Sequence, residues 1–191
     1  MINHWETKLR EEAKSLTSAP YFRPEFMSLT KPHPIWSSCG SNPFEVHKAV
    51  IAARMLSGRY LTDQRQRHWT QNRAGICLLP SCAPSNSQGF LEHLVLWCSA
   101  LNPSCLKVLR LAEKVSSTEK TVADILLPVL YFGTTKTIMQ ILLDCSVLPE
   151  IVRHTQNHGT SVGDLIFYFG RTCCYYIHRE RMKQMELLNS K

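Results

Sequence analysis

The residues that decide how this chain folds read CLLPSCAPSNSQGFLEHLVLWC and occupy positions 77–98. Three cysteines and one histidine in this stretch follow the pattern Cys77-x4-Cys82-x10-His93-x4-Cys98. Zinc takes four ligands at the corners of a tetrahedron, so a chain that binds it must bring two ligand pairs to one point. The spacing within each pair and the connector between them predict a zinc site with these four ligands.

The segments around the four residues are suited to holding them. A tight turn that contains Pro80 separates the first two cysteines, and a short hairpin around Cys77–Cys82 would direct both sulfurs inward. Residues 84–89 are polar and rich in turn formers, as expected of a connector. Residues 90–97 predict a helix that presents His93, with Cys98 at or just past its end.

The alternative is that these four residues lie near one another only by chance. Cysteine is often simply buried, and a single histidine on a helix is more often a hydrogen-bonded polar group than a ligand. The paired spacing around a polar connector favours zinc, and four protein ligands make the site structural rather than catalytic. The remaining cysteines have no such spacing and are predicted to be small buried apolar residues: Cys39, Cys105, Cys145, Cys173 and Cys174.

The composition around this unit is that of a globular protein. Hydrophobic residues make up 44% and charged residues 19% of the 191 residues, which is enough apolar material for a packed core. The sequence contains no apolar run of transmembrane length, and its first residues lack the layout of a signal peptide. We therefore expect an intracellular protein, nuclear or cytoplasmic, whose eight cysteines are thiols, so that a regularly spaced cluster indicates metal binding rather than disulfides.

The rest of the chain predicts a mostly α fold, a helical domain with a small zinc-held knuckle. Asn42 and Pro43 form a helix start, and Gly58 is a plausible stop. The expected helices and stripes are residues 43–57 with Val46, Val50, Ala53 and Leu56; residues 101–115; residues 122–130, limited by Pro128; residues 134–145 with Ile138, Ile141, Leu142 and Cys145; and residues 162–188 with Val162, Leu165, Ile166, Phe169, Cys173, Tyr176 and Ile177.

Three segments follow from this pass along the chain. Residues 1–41 hold a short polar helix over 4–17 and several prolines, which predict an extended N-terminal tether. Residues 42–98 contain the basic helices and the zinc unit. Residues 99–191 form a helical C-terminal part.

The net charge of +7 is concentrated in two blocks. Residues 33–73 contain six cations and two acids, residues 99–164 are balanced, and residues 171–191 contain five cations and two acids. Cations beside aromatic rings suit phosphate and base contacts, although a solvated helix face is also basic by accident. The predicted nucleic-acid contacts are Lys48, Arg54, Arg59, Arg65, Arg67, His68, Trp69 and Arg73, of which the first two should face solvent.

Several of these segments resemble a known family. HPIWSSCG at 33–40, ARMLSGRY at 53–60 and RHW at 67–69, followed by the four cysteine and histidine positions, look like the region after the polymerase core in LINE-type (non-LTR) retrotransposon reverse transcriptases. The resemblance implies a Cys-Cys-His-Cys unit that helps to bind template RNA or target DNA. The polymerase core has no counterpart in this sequence, so catalysis is not implied.

Three functions remain open at this point. The leading one is a binding module that contacts the backbone of RNA or DNA beside the zinc unit. The second is a protein-interaction module whose partner contacts the neutral helices of residues 99–164. The third, an enzyme, is disfavoured, because the four aspartates are scattered singly and no motif pairs a nucleophile with a base.

Overall fold

A computed structural model describes residues 2–14, 20–22, 30–60, 62, 76–80, 82, 91–147 and 161–190. These residues contain no strand, which confirms the predicted mostly α class. None of the helices within these ranges has the length and hydrophobicity needed to cross a membrane. The elements are α1 (Ile2–Lys14), α2 (Pro34–Ser37), α3 (Pro43–Leu56), a π-helical turn (His93–Trp97), a 3₁₀ turn (Ser99–Leu101), α4 (Asn102–Thr118), α5 (Lys120–Phe132), α6 (Thr135–Leu143), a second 3₁₀ turn (Cys145–Val147) and α7 (Ser161–Asn189).

Helix α7 is the centre of the fold, because α3, α4, α5 and α6 all pack against it. Its observed ends lie within one residue of the predicted ones. The predicted apolar stripe is confirmed, since five of its seven residues are buried and the other two pack against the core. The five are Val162, Ile166, Phe169, Cys173 and Ile177. Burial of this one helix therefore organises the whole hydrophobic core.

Helix α6 meets α7 at Gly170. A Cβ atom built on Gly170 would lie 2.4 Å from the backbone oxygen of Leu142, which is far inside van der Waals contact. The thiol of Cys174 lies beside the same oxygen, with its Sγ 3.8 Å away. The two helices can adopt this separation only because Gly170 has no side chain.

Helix α3 begins and ends where the sequence predicts. The side-chain oxygen of Asn42 accepts a hydrogen bond from the Phe44 backbone N–H at 2.9 Å, and Pro43 occupies the first helical position. Gly58 follows the helix with φ of +66°, a backbone conformation that glycine adopts without strain. Local capping chemistry therefore sets both ends of this helix.

The buried face of α3 differs from the predicted stripe. Val46, Val50 and Ala53 are only half-buried, and of the predicted residues Leu56 alone is fully buried. Small side chains let helices approach closely, so Ala49 and Ala52 are buried in preference to the larger valines. The observed buried face consists of Lys48, Ala49, Ile51, Ala52, Met55 and Leu56.

Lys48 is not directed to solvent, and the prediction that it faces water is wrong. Its Nζ lies 2.7 Å from one carboxylate oxygen of Glu45, and the other oxygen lies 3.3 Å from Nη2 of Arg171. Arg171 also donates hydrogen bonds to the hydroxyl and the backbone oxygen of Ser38. Both cations are buried because one carboxylate pairs with both.

Helix α5 continues through Pro128 to Phe132, so the prediction that proline limits this helix is wrong. Proline cannot donate an N–H to the Asp124 carbonyl, and both Pro128 and Asp124 are at exposed positions of the helix. The helix instead ends at Gly133, whose N–H donates to the Val129 oxygen at 2.9 Å. The helices predicted over 101–115 and 134–145 are observed as α4 and α6 with their adjoining 3₁₀ turns.

The described part of residues 1–41 is more ordered than the extended tether that the prolines predict. Ile35 and Cys39 are buried in the core, and α2 begins at Pro34. His33 caps α2, because its Nδ1 accepts a hydrogen bond from the Ile35 N–H at 3.2 Å. Its Nε2 lies 3.3 Å from a carboxylate oxygen of Asp144, which ties this segment to the end of α6. The boundaries of the three predicted segments themselves stay predictions.

Replacing Gly170 by alanine should destabilise the protein by about 1–3 kcal/mol, because the added methyl group forces α6 away from α7. Alanine has the higher helix propensity, so at an open helical position the same change would stabilise by about 1 kcal/mol. Chemical denaturation measures the free energy of unfolding. Arg179→Ala, at an exposed position of the same helix, is the control and should change it by less than about 0.5 kcal/mol. A Gly170→Ala variant as stable as the wild type would contradict the close approach.

Candidate metal centre

The structure brings the four predicted ligands together. One ligand atom from each of Cys77, Cys82, His93 and Cys98 lies within 4.8 Å of all the others. The sulfurs of Cys77 and Cys98 are 3.8 Å apart, and the sulfur of Cys82 is 3.2 Å from Nε2 of His93. A zinc tetrahedron with bonds of about 2.3 Å to sulfur has sulfur–sulfur edges of about 3.8 Å. These four residues could hold a metal ion.

A turn presents the first ligand pair. The N–H of Cys82 donates to the backbone oxygen of Leu79 at 2.9 Å, and the Leu79 N–H in turn bonds to the sulfur of Cys77. The described residues 76–80 and 82 contain no strand, so the predicted tight turn is observed but the strands of a hairpin are not. Leu79 is buried, which fixes the turn against the core.

A π-helical turn presents the second pair. Residues 91 and 92 are α-helical as predicted, but the backbone widens over His93–Trp97, and the Cys98 N–H donates to the His93 oxygen at 2.7 Å. This bond joins residues five apart, whereas an α-helix joins residues four apart. The wider turn places the side chains of His93 and Cys98 on the same side of the chain.

The first and last cysteines share a proton. A hydrogen bond from the Cys98 thiol lowers the pKa of Cys77 to about 5, against the opposing effect of burial. The same hydrogen bond, together with burial, raises the pKa of Cys98. The pair of sulfurs therefore loses its first proton more readily than an isolated thiol does, and a cation bound by both sulfurs would take the place of the proton between them.

The segment that carries the four candidate ligands is part of the main core. Leu94 and Val95, which follow His93 on the π-helical turn, are buried with the helices. The hydroxyl of Tyr21 donates to a carboxylate oxygen of Glu92 at 2.6 Å, and burial, followed by this hydrogen bond, raises the pKa of Tyr21. Sequence reasoning missed Tyr21, because nothing near it in the chain indicates a partner 71 residues away.

The other cysteines largely follow the prediction. Cys39, Cys145, Cys173 and Cys174 are buried thiols, and burial raises the pKa of the last three well above the ordinary value. Cys105 is only half-buried, because it lines a surface cleft instead of the core.

The residues predicted to contact nucleic acid have different positions in the fold. Arg54 and Arg59 are exposed. Lys48 is buried and pairs with Glu45, so it is unavailable to a phosphate and its assignment as a contact is withdrawn. The remaining five lie outside the described residues: Arg65, Arg67, His68, Trp69 and Arg73.

The C-terminal basic block contains a buried cluster. Arg181 is buried, as is Arg171, so these two do not line a wet face of α7. The guanidinium of Arg181 lies 5.6 Å from the centre of the Tyr60 ring, and the Tyr60 hydroxyl lies 3.0 Å from Nδ1 of His178. Burial, followed by the charges of His47, Arg181 and Arg54, lowers the pKa of His178.

An apolar cleft of about 410 Å³ opens between the π-helical turn and helices α4 to α6. Its walls include Leu94, Trp97, Val108 and Ile138. Several large apolar side chains are exposed on and near these elements, namely Trp97, Leu106, Leu109, Tyr131 and Phe132. This surface lies in the region for which the sequence predicts a protein partner.

No protein-family model, curated protein or solved structure matches the chain. The resemblance to the region after the polymerase core of LINE-type reverse transcriptases therefore stays a prediction.

The protein should bind one metal ion per chain, and removal of the ion by a chelator should lower its melting temperature. Cys82→Ser and His93→Gln should each lose the metal, because three ligands bind it far more weakly than four. Elemental analysis of purified protein measures the content. Cys105→Ser, at a half-buried cysteine outside the cluster, is the control and should keep the metal. Full metal content in a Cys77/Cys82 double variant would rule out this site.

The protein should lose stability as the pH falls below about 6.5, in part through His178. The unfolded histidine titrates near its ordinary value, whereas burial and three neighbouring cations lower the pKa in the fold. As the pH falls, the unfolded state therefore binds a proton at His178 before the folded state does, which lowers the free energy of unfolding. Above about pH 6.5 neither state binds this proton, and the loss of stability is absent. The difference between the melting temperatures at about pH 5.5 and about pH 7.5 should be smaller in His178→Gln than in the wild type. The control is His4→Gln, at an exposed histidine of α1, which should show the same difference in melting temperature as the wild type. If the difference is unchanged in His178→Gln, the folded and unfolded states bind the His178 proton equally and the prediction is wrong.

Proposed function

We propose that this chain is a zinc-stabilised module that binds RNA or DNA through contacts to the phosphate backbone. The observation that carries the metal part is the group of four ligand atoms within 4.8 Å of one another. Three thiols and one imidazole are a donor set typical of structural zinc, and such a set suits the reducing intracellular compartments that the sequence predicts.

The zinc has a structural role in this proposal. Four protein ligands fill its tetrahedral shell, so no position is left for an activated water molecule. The three ligands Cys77, His93 and Cys98 are buried, and the turns that present them pack on the core. The metal therefore contributes folding free energy, and we assign it no catalytic step.

The nucleic-acid part rests on charge. The chain carries a net charge of +7, and Arg54 and Arg59, which precede the candidate metal ligands in the sequence, are exposed. Neither guanidinium has an ion-pair partner among the described residues, so both are available to phosphates. In the sequence, the cations at positions 65, 67 and 73, between Arg59 and Cys77, extend this block. The resemblance to the retrotransposon segment implies the same function.

A second candidate is a protein-interaction module. The apolar cleft beside the π-helical turn and the exposed side chains of Leu106, Leu109 and Phe132 favour it, because large apolar surface often marks a protein partner. A partner bound there would contact mainly the balanced helices α4 to α6. Its binding would be insensitive to salt, whereas phosphate contacts weaken steeply as salt rises.

The zinc-loaded protein should bind a mixed-sequence oligonucleotide with an affinity that falls linearly with the logarithm of salt concentration. Neutralising Arg59, Arg65 and Arg67 together should reduce that slope by about two units on a single strand, because each lost phosphate contact removes about 0.7. Fluorescence anisotropy at several salt concentrations measures both quantities.

The matched control neutralises Lys107, Arg110 and Lys114, three exposed cations on α4, and should leave the slope close to the wild-type value. Equal losses in the two triple variants would mean that binding follows net charge rather than this block. No binding by the zinc-loaded wild type would remove the nucleic-acid proposal and leave the protein-interaction module.

A further inference from the structure

An aromatic group lies on the surface where α3 and α7 meet. Phe44 is 50% exposed, and its ring packs edge-on against Tyr175 with centroids 5.2 Å apart and planes at 81°. His47 approaches the same tyrosine edge-on, with centroids 6.0 Å apart. Three rings from two helices thus form one cluster, in which Phe44 and His47 are exposed and Tyr175 is half-buried.

The buried side chain of Lys48 holds the Phe44 ring of this cluster in place. The ammonium of Lys48 lies 4.7 Å from the centre of the Phe44 ring and 5.2 Å from that of Tyr168. Lys48 is itself fixed by Glu45 at 2.7 Å. A ring that is already ordered loses little conformational entropy when a ligand stacks on it, so this arrangement is suited to binding.

Exposed positive charge lies on the same helix as two of these rings. Arg54 is exposed two turns after His47 on α3, and it has no ion-pair partner among the described residues. The acid in the α3 sequence, Glu45, and Glu180 of α7 are engaged with other cations. Glu45 pairs with Lys48 and Arg171, and Glu180 lies 3.6 Å from Lys183.

We propose that this surface of α3 and α7 binds a single-stranded nucleic acid. Bases stack on Phe44 and Tyr175, while Arg54 and Arg59 contact phosphates. The inference rests on the proposed nucleic-acid function and adds which strands bind and where. A single strand is favoured over a duplex because stacking on a protein ring requires an exposed base face, whereas cations alone serve both.

The experiment compares a labelled single strand with the duplex of the same sequence, using the zinc-loaded full chain. Phe44→Leu keeps the apolar volume but removes the ring, so it should weaken single-strand binding about fivefold to a hundredfold and leave the salt slope unchanged. Arg54→Gln should weaken binding and also reduce the salt slope by about 0.7 on the single strand. Phe44→Trp keeps a ring and should retain the affinity.

The controls are Phe132→Leu, at a phenylalanine that is 90% exposed at the end of α5, and Arg110→Gln, at an exposed position of α4. Neither should change single-strand affinity by more than about twofold. Thermal melting of every variant checks that the fold is retained, which is expected because the changed side chains are exposed.

The outcomes separate the two proposals. If the wild type binds no oligonucleotide, the proposed function fails and this inference fails with it. If the wild type binds but Phe44→Leu and Arg54→Gln match it, the strand lies elsewhere and only this inference fails. Equal weakening of single strand and duplex by Phe44→Leu would also overturn the stacking role.

Discussion

The arrangement of α3 on α7 depends on the two ion pairs that the Glu45 carboxylate forms. This carboxylate pairs with Lys48 of its own helix and with Arg171 of α7, and Arg171 also bonds to Ser38. A buried charge without a partner costs several kcal/mol, and removing one member of a buried pair typically costs about 3–5 kcal/mol. Two buried cations depend on this one acid. The network therefore fixes α3 and the end of α2 against the central helix, and it holds the Phe44 ring through Lys48.

What could be predicted from the sequence was set by local chemistry. The cap at Asn42 and the apolar stripe of α7 depend on residues within one helix, and both are observed. The burial of Lys48 depends on Arg171, a residue more than a hundred positions away, so no local pattern indicates it. The burial of Ala49 and Ala52 also depends on a distant part of the chain, because a helix that packs closely on α3 leaves room only for small side chains.

The candidate metal site also shows which features a local sequence pattern can predict and which it cannot. All four ligands lie within 22 residues, so their spacing alone identified the group that the structure brings together. The π-helical turn could not be predicted, because its sequence His93–Trp97 has the apolar pattern of an ordinary helix end. The contact between Tyr21 and Glu92 is long-range and equally absent from any local pattern.

The candidate metal site and the α3–α7 surface share one helix, because the turns next to Cys98 pack on α7. The 3₁₀ turn after Cys98 and the π-helical turn before it both pack on α7, and their Leu94 and Leu101 line the same cleft as Ile177. Tyr175 and His178, on the neighbouring turn of α7, belong to the other surface. Leu94 and Leu101 therefore pack against the same helix that carries Tyr175 and His178.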